Sequence, residues 1–331
     1  MVSPLVESHP HAKGDSTVPR YARSVAIFAS RESSHTLTLC VRAVFEASES
    51  VSTLVDVLVN GNRALADDVA RELSQLKPLN APTTVRVWFI PLGDKAHAWN
   101  EYVHRLCGAS KLHFFIDGYT LLHRDSLDAI DEGLASDVVA LAASGVPTDG
   151  PSAHGLRNQM VRDGGIHGNL HALRGSTLAA IRANGIRLPL GIYRTDSLIG
   201  AVICFALDPA RFEWDRHRIR VQQNASWSLP IDHWWASTSL QTRFKRMLRQ
   251  AQGRLENCAI HDHLALKKRA PESLPVTARE MVDDWLSTHH KEALSLFVKH
   301  PLTGLAVRRL RRARTWTIAS LSPILIVSDA E

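Results

Sequence analysis

The chain of 331 residues has no run approaching the ~20 uninterrupted apolar residues that a membrane span needs. Its start carries no positively charged segment followed by an apolar core, so no secretory signal is expected. Cysteine is scarce: Cys40, Cys107, Cys204 and Cys258 stand far apart with no CxxC pair. That spacing argues against a disulfide framework and a zinc knuckle and fits a reducing compartment, so the expected location is cytoplasmic. Helix-turn-helix, RNP-type and zinc-finger signatures are missing, and nucleic acid is not an expected partner. No internal repeat is present.

What is there is ordinary globular composition, 45% hydrophobic and 22% charged. The length allows one large α/β domain, or one domain with an appended module. The net charge of +6 is unevenly spread, with Lys and Arg gathered in residues 211–220, 243–254, 267–269 and 308–314. Such clusters meet nucleic acid, anionic lipid or a diphosphate, or else form a solvated basic face.

Residues 1–20 mix Pro, Ser, His and Gly without period and read as a disordered arm. Regular punctuation begins at Ser24. Residues 24–29 form a predicted buried strand, and Ser34 is the expected N-cap of a helix with Leu37, Val41, Val44 and Phe45 on one face. A second strand, 54–59, closes on Asn60-Gly61-Asn62 and precedes a helix carrying Leu65, Val69, Leu73 and Leu76. Residues 85–90 give a third strand and 95–107 a third helix; a fourth strand ends at Asp117. Further strands and helices are predicted at 138–143, from Ser176, and over 197–207. Residues 144–165 read as a polar stretch, and the periodicity weakens beyond Pro209. A basic helix over 240–257 and helical material over 281–300 follow.

Three strand–helix units ahead of a fourth strand imply an α/β fold with a mainly parallel sheet covered by helices. Right-handed crossovers place the loops after Ala29, Val59 and Ile116 on one edge, outside the carboxyl ends of the strands, where ligands of such sheets bind. Ser30, Glu32, Asn60, Asn62, Asp117 and Tyr119 lie in those loops. Asp117 is thus a candidate ligand contact, although Asp-Gly also simply starts turns. Asp196 stands near a helix N-terminus, either as a stabilised reactive carboxylate or as an ordinary cap. His167 and His171 have i,i+4 spacing without an HExxH context, which favours a structural role over metal binding. Trp227, Trp234 and Trp235 suit either a stacking wall for a ligand or core packing.

The order of these pieces, from about Ser24 to Leu207, resembles the family 2 glycosyltransferases of GT-A fold. Ala29-Ser30-Arg31-Glu32, Val59-Asn60-Gly61-Asn62, Gly93-Asp94-Lys95 through Asn100, Asp117-Gly118-Tyr119, Gly168 to Arg174 and Thr195-Asp196 occupy the places of that family's motifs in sequence. Two positions depart from the pattern. Tyr119 replaces the second carboxylate of the Asp-x-Asp motif, and Thr195 replaces the first residue of the acidic pair.

The resemblance implies a GT-A-like domain over residues 21–230, with a helical, basic C-terminal extension over 231–331. It implies an inverting transfer of sugar from a nucleotide-sugar donor to a glycan or lipid-linked acceptor. Asp196 is then the general base, and Ser30, Glu32, Asn60, Asp117, Tyr119 and Arg194 bind the donor. Asp117 is also the implied ligand of a divalent cation, Mg or Mn. Because such a cation prefers anionic oxygens, Tyr119 raises a second arrangement, in which Arg194, Arg216 and Arg218 stabilise the leaving diphosphate. Tyr119 and Thr195 also leave open a degenerate member of the fold that binds nucleotide, glycan or membrane without turnover. The run from Val307 to Trp316 has the Arg and Trp content of an interfacial helix, consistent with peripheral contact at an anionic membrane.

Overall fold

The computed structural model describes residues 21–49, 51–75, 83–150, 153–230, 240–312 and 314–328. The expected N-terminal arm, Leu76, Trp234 and Trp235 lie outside them. Among the described residues no helix is long and apolar enough to cross a membrane.

The centre of the molecule is built as the sequence pattern requires. β1 (Arg23–Ala29), β2 (Thr53–Asn60), β3 (Thr83–Ile90) and β4 (Leu112–Asp117) run parallel in the spatial order β4-β1-β2-β3. Every residue of β1 and β2 is buried, as expected for strands covered on both faces. Alternate residues feed two cores. Ala26, Phe28, Leu58, Ile90 and Phe115 face one side, whereas Val25, Ile27, Val57, Phe114 and Ile116 face the other.

The crossover helices are α1 (Ser34–Ala47), α2 (Arg63–Leu73) and α3 (Lys95–Glu101). α1 and α2 bury the predicted apolar stripes on the second core. The cap of α1 is Ser33 rather than Ser34: its Oγ accepts from Thr36 N at 3.1 Å. α3 continues through a π-turn, Tyr102–Leu106, to the predicted end at Cys107. Gly61 at φ +69° turns the chain after β2, and a Cβ there would stand 2.4 Å from Gly93 Cα, so the loops after β2 and β3 touch backbone to backbone.

Beyond β4 the sheet becomes mixed. β5 (Leu121–Leu122), α4 (Ser126–Ala135), β6 (Ala142–Pro147), α5 (Ala153–Asp163), β7 (His171–Arg174), α6 (Gly175–Ala183) and α7 (Thr195–Cys204) follow. β7 is antiparallel to β4 and to β6, β8 (Ile219–Ser228) is parallel to β6, and β5 closes that edge. The strand predicted at 138–143 is displaced. Asp137 Oδ1 accepts from Val139 N and Ala140 N, forming a turn that leaves Val138 91% and Val139 54% exposed. The strand starts only at Ala142, and the polar stretch after it hides α5.

The C-terminal residues pack onto this frame. α8 (Leu240–His261), α9 (Ala278–Thr288), α10 (His290–Lys299) and α11 (Leu302–Leu310) are helical, and the stretch 281–300 is broken at His289. Leu255, Ala259, Met281 and Trp285 join the same core as Leu198 and Val202 of α7. β9 (Ile324–Ser328) pairs antiparallel with β3, giving nine strands among the described residues in the order β5-β8-β6-β7-β4-β1-β2-β3-β9.

Candidate functional site

The ends of β1, β2 and β4 meet at the carboxyl edge of the sheet. Phe28 lies opposite Asp117 in register, and Gly118 N donates to Phe28 O at 2.8 Å, fixing the turn after β4 against β1. Ser30 Oγ donates to Asn60 O at 2.9 Å and Asn60 Nδ2 to Ala29 O at 2.8 Å. Asn62 both donates to Ser30 O and caps α2 through Leu65 N. Glu32 Oε2 accepts from Ser30 N at 2.6 Å and Arg31 N at 2.8 Å. Ser30, Glu32 and Asn60, expected as nucleotide contacts, thus form one hydrogen-bonded loop cluster.

Asp117 is engaged on both oxygens. Oδ1 forms an ion pair with Lys95 Nζ, and Oδ2 accepts from the Tyr119 hydroxyl at 3.0 Å. Lys95 is the first residue of α3, placed there by the Asp94 cap, and its ammonium lies 5.8 Å from the Phe28 ring centroid. Burial works against the Lys95 charge, but Asp117, with Asp196 and Glu32 behind it, holds its pKa above the usual lysine value. Burial and the neighbouring Asp117 push the Tyr119 phenol well above its ordinary range. Asp117, Asp196, Glu32, Lys95 and Tyr119 therefore share one electrostatic neighbourhood, assembled from four separate stretches of chain.

Asp196 lies in the first turn of α7 with Oδ1 accepting from Ser197 N at 2.9 Å. The residues before it are held from the C-terminal helices. Glu256 accepts from the backbone N–H groups of Tyr193 and Arg194, and Gln252 Nε2 donates to Glu256 Oε1 at 2.8 Å and Gly191 O at 3.2 Å. Burial pushes the Glu256 carboxyl up to about 7, against the lowering effect of those donors. The Arg194 guanidinium packs on Gly253, and its buried Nε has no hydrogen-bond partner among the described residues.

Arg216 and Arg218 do not join the site. Arg216 donates to Arg162 O, and Arg218 to Cys204 O and Glu213 O, at the far end of α7. Eight residues of helix separate Cys204 from Asp196, a rise of about 12 Å.

His167 and His171 are neutral packing groups. The His171 ring stacks on Phe115 at 5.0 Å, and burial lowers its pKa to about 4. His167 stacks on Trp227 at 5.0 Å, and burial lowers its pKa too, although Asp196 and Asp117 pull it the other way. It therefore lies in the same electrostatic neighbourhood. Trp227 is buried, which fits packing. Sequence reasoning missed Lys95 as a site residue, and Gln252 and Glu256 altogether. The only signal for Lys95 was its place beside Asp94 in the stretch leading to Asn100.

The divalent cation implied at Asp117 does not fit the side chains present. Asp117 is the lone carboxylate of the motif, its oxygens are taken by an ammonium and a phenol, and the Lys95 charge occupies the place a cation would need. Among the described residues no group of three or more His, Cys, Asp or Glu is gathered for a metal.

A mixed α/β sheet with parallel centre, helices on both faces and a carboxylate-bearing turn at the end of an inner strand is a GT-A-like fold. Among solved structures it is similar to the mannosyltransferase PcManGT from Pyrobaculum calidifontis, determined with GDP-Man and Mn2+. The identity is 16% over 93% of this chain and 81% of that one, with a TM-score of 0.54. S. aureus TarS 1-349 with UDP-GlcNAc matches at 11% identity over 89% of this chain and 82% of that one, with a TM-score of 0.49. The likeness is one of fold and rests on the first of these. No protein-family profile matches the chain, and no curated protein does.

Proposed function

We propose that this chain is a glycosyltransferase of the family 2 kind, a hexosyltransferase moving sugar from a nucleotide-sugar donor to a glycan or lipid-linked acceptor in polysaccharide biosynthesis. The observation that carries the reading is the Lys95–Asp117–Tyr119 cluster at the carboxyl edge of the sheet, with Asp196 and Glu32 acting on the same ammonium. Residues 21–230 form the catalytic unit in this reading, and 231–331 the extension that braces it.

Ser30, Glu32 and Asn60 offer short polar groups to base and ribose. Lys95, Tyr119 and Arg194 face the diphosphate; an ammonium and a guanidinium fork stabilise the charge that develops on the leaving oxygen. The acceptor hydroxyl oxygen bonds to the anomeric carbon as the carbon–oxygen bond to the phosphate breaks. Asp196 takes the hydroxyl proton, and the configuration inverts. Tyr119 and Thr195 favour a second reading, a GT-A-like protein that binds nucleotide or glycan without turnover. Peripheral contact of residues 308–314 with the inner face of an anionic membrane is compatible with either.

The test is calorimetric titration with UDP, GDP, CDP and dTDP, then a transfer and hydrolysis assay with the matching nucleotide sugars. Asp196→Asn is expected to bind nucleotide like wild type and to lose transfer. Turnover retained in that variant removes Asp196 from the mechanism; nucleotide binding without turnover in wild type selects the second reading.

A further inference from the structure

A cleft of about 220 Å3 runs between α7 and the end of α8. Ser197, Ala201 and Phe205, four residues apart along α7 and its C-cap, form one wall. Asn257 and His261 on α8, with Ala265 on the π-turn that continues it (Asp262–Leu266), form the other at the same spacing. The two elements run side by side in one direction. Glu256 holds Arg194 N ahead of α7, and Lys268 stands over the Phe205 ring at 5.2 Å beyond it. One end of the cleft is therefore a single residue from Asp196. The other closes on Trp214, whose ring meets Phe205 edge-on at 5.4 Å.

The eight residues from Ser197 to Phe205 rise about 12 Å. Spread over that length, the volume leaves a channel about 18 Å2 across, wide enough for one file of methylene groups and too narrow for a chain of sugar rings. Its polarity changes along the way. Ser197 and Asn257 put a hydroxyl and an amide beside Asp196, whereas Ala201, Leu264, Ala265 and Phe205 line the rest with carbon. At the far mouth Trp214 and Phe212 are 55% and 40% exposed. Arg211 and Arg218 lie over the Phe212 ring at 5.7 and 5.5 Å. The nearby Glu213 is already paired with Lys268 at 2.8 Å, and Asp215 accepts from His217 N. Exposed aromatic rings among unneutralised cations suit the headgroup level of an anionic bilayer. A hydrocarbon chain leaving the cleft past Trp214 emerges among those groups.

We propose that the cleft between α7 and α8 binds the hydrocarbon chain of a membrane-borne amphiphile that carries a hydroxyl at its polar end. The head lies at Ser197 and Asn257, and the chain runs along Ala201 and Ala265 and out past Trp214. A hydroxyl held one residue from Asp196 makes this amphiphile the acceptor, a step that rests on the glycosyltransferase reading. Binding of the chain does not rest on it.

The full chain is titrated by calorimetry with butyl, hexyl, octyl, decyl and dodecyl glucoside, each below its micelle concentration, and with glucose as the chainless control. Wild type is expected to prefer the alkyl glucosides, with affinity rising about fourfold per methylene, the transfer free energy of one CH2. The rise should level off once the chain spans the cleft, at about eight to ten carbons of ordinary bond length. Ala265→Phe fills the cleft from its partly exposed wall. It should lose about tenfold or more for octyl glucoside, the burial of roughly two methylenes, and leave UDP and GDP binding unchanged. Trp214→Ala, a change at an exposed side chain, gives a second variant should the first fold poorly, and should weaken the longer chains most. Affinity that does not grow with chain length, or equal octyl glucoside binding in wild type and both variants, overturns the proposal. Glucose or a glucose oligomer bound as tightly as octyl glucoside also overturns it and points to a glycan in the cleft. Chain-dependent binding that the variants weaken, in a protein that binds no nucleoside diphosphate and transfers no sugar, upholds the chain site and sinks the acceptor role together with the enzymatic reading.

Discussion

Glu256 Oε2 accepts the backbone N–H of Arg194 at 3.0 Å, and the same carboxylate accepts from Tyr193 N, two and three residues ahead of Asp196. A helix outside the resembling region thereby sets where the candidate base stands. Glu256→Ala strips the acceptor from the part-buried N–H groups of Tyr193 and Arg194 and from the buried Gln252 amide, and is expected to cost about 2–4 kcal/mol of stability in denaturant unfolding. It should lower transfer by up to about 10²-fold through displacement of the base, with nucleotide affinity nearly unchanged. Glu256→Gln keeps one carbonyl acceptor and should restore most of both. Equal transfer in Glu256→Ala and wild type would show that the clamp does not position Asp196.

The same carboxyl gives a pH signature. Its pKa rises on folding from 4.5 to about 7, so between those values the folded protein holds a proton that the unfolded chain has released. Its contribution is fully present below about 4.5 and is lost as pH rises through about 7, on the order of 3 kcal/mol in all. His113 and His171, lowered to about 4 by burial, act with the opposite sign over lower pH. The difference in unfolding free energy between wild type and Glu256→Gln isolates the glutamate. It should shift against wild type from pH 5 to pH 8, and a flat difference would mean that Glu256 is ionised throughout.

The parallel centre was legible because β1, β2 and β4 are covered on both faces and carry apolar runs broken only by Asp56 in β2 and His113 in β4, while α1 and α2 repeat apolar residues every three or four positions. β8 was not, since Gln222, Gln223 and Asn224 sit in a strand near the sheet's edge where one side needs no apolar cover. Val138 and Val139 misled for the converse reason: β-branched residues serve as well in an exposed turn. Asp117, Asp196, Glu32 and Tyr119 were named from strand ends and motif order; the three carboxylates act on one lysine, and Tyr119 is bonded to Asp117. Lys95 and Glu256 escaped because an ion pair across 22 residues and a backbone clamp across 62 leave no local pattern.

Lys95 is the only positive charge paired with Asp117 among the described residues, and Lys95→Met removes it. In EDTA, nucleoside diphosphate affinity is expected to fall by about tenfold or more, the loss of one charge-assisted contact to phosphate. Wild-type affinity should be the same with EDTA and with manganese, since the ammonium already fills the cation's place. Calorimetry checks both. Strict manganese dependence in wild type would show that a cation displaces Lys95 on binding.

Two glycines separate the Lys95–Asp117 site from the fold. A Cβ on Gly118 would stand 2.9 Å from Ala29 Cβ and 3.1 Å from Phe28 O, atoms fixed in β1 or on its backbone. Gly118→Ala must therefore spread the sheet edge, at about 1–3 kcal/mol. A Cβ on Gly168 would stand 3.2 Å from Asp117 Oδ2 and 3.4 Å from Lys95 Nζ, and both are side-chain ends that can yield by tenths of an ångström. Gly168→Ala is expected to melt within a few degrees of wild type, because no backbone has to move. It should still weaken nucleoside diphosphate binding, because the methyl crowds the Lys95–Asp117 pair where phosphate oxygens must approach. If Gly168→Ala binds nucleotide as wild type does, the phosphates lie elsewhere, and the cluster centred on Asp117 is not the donor site.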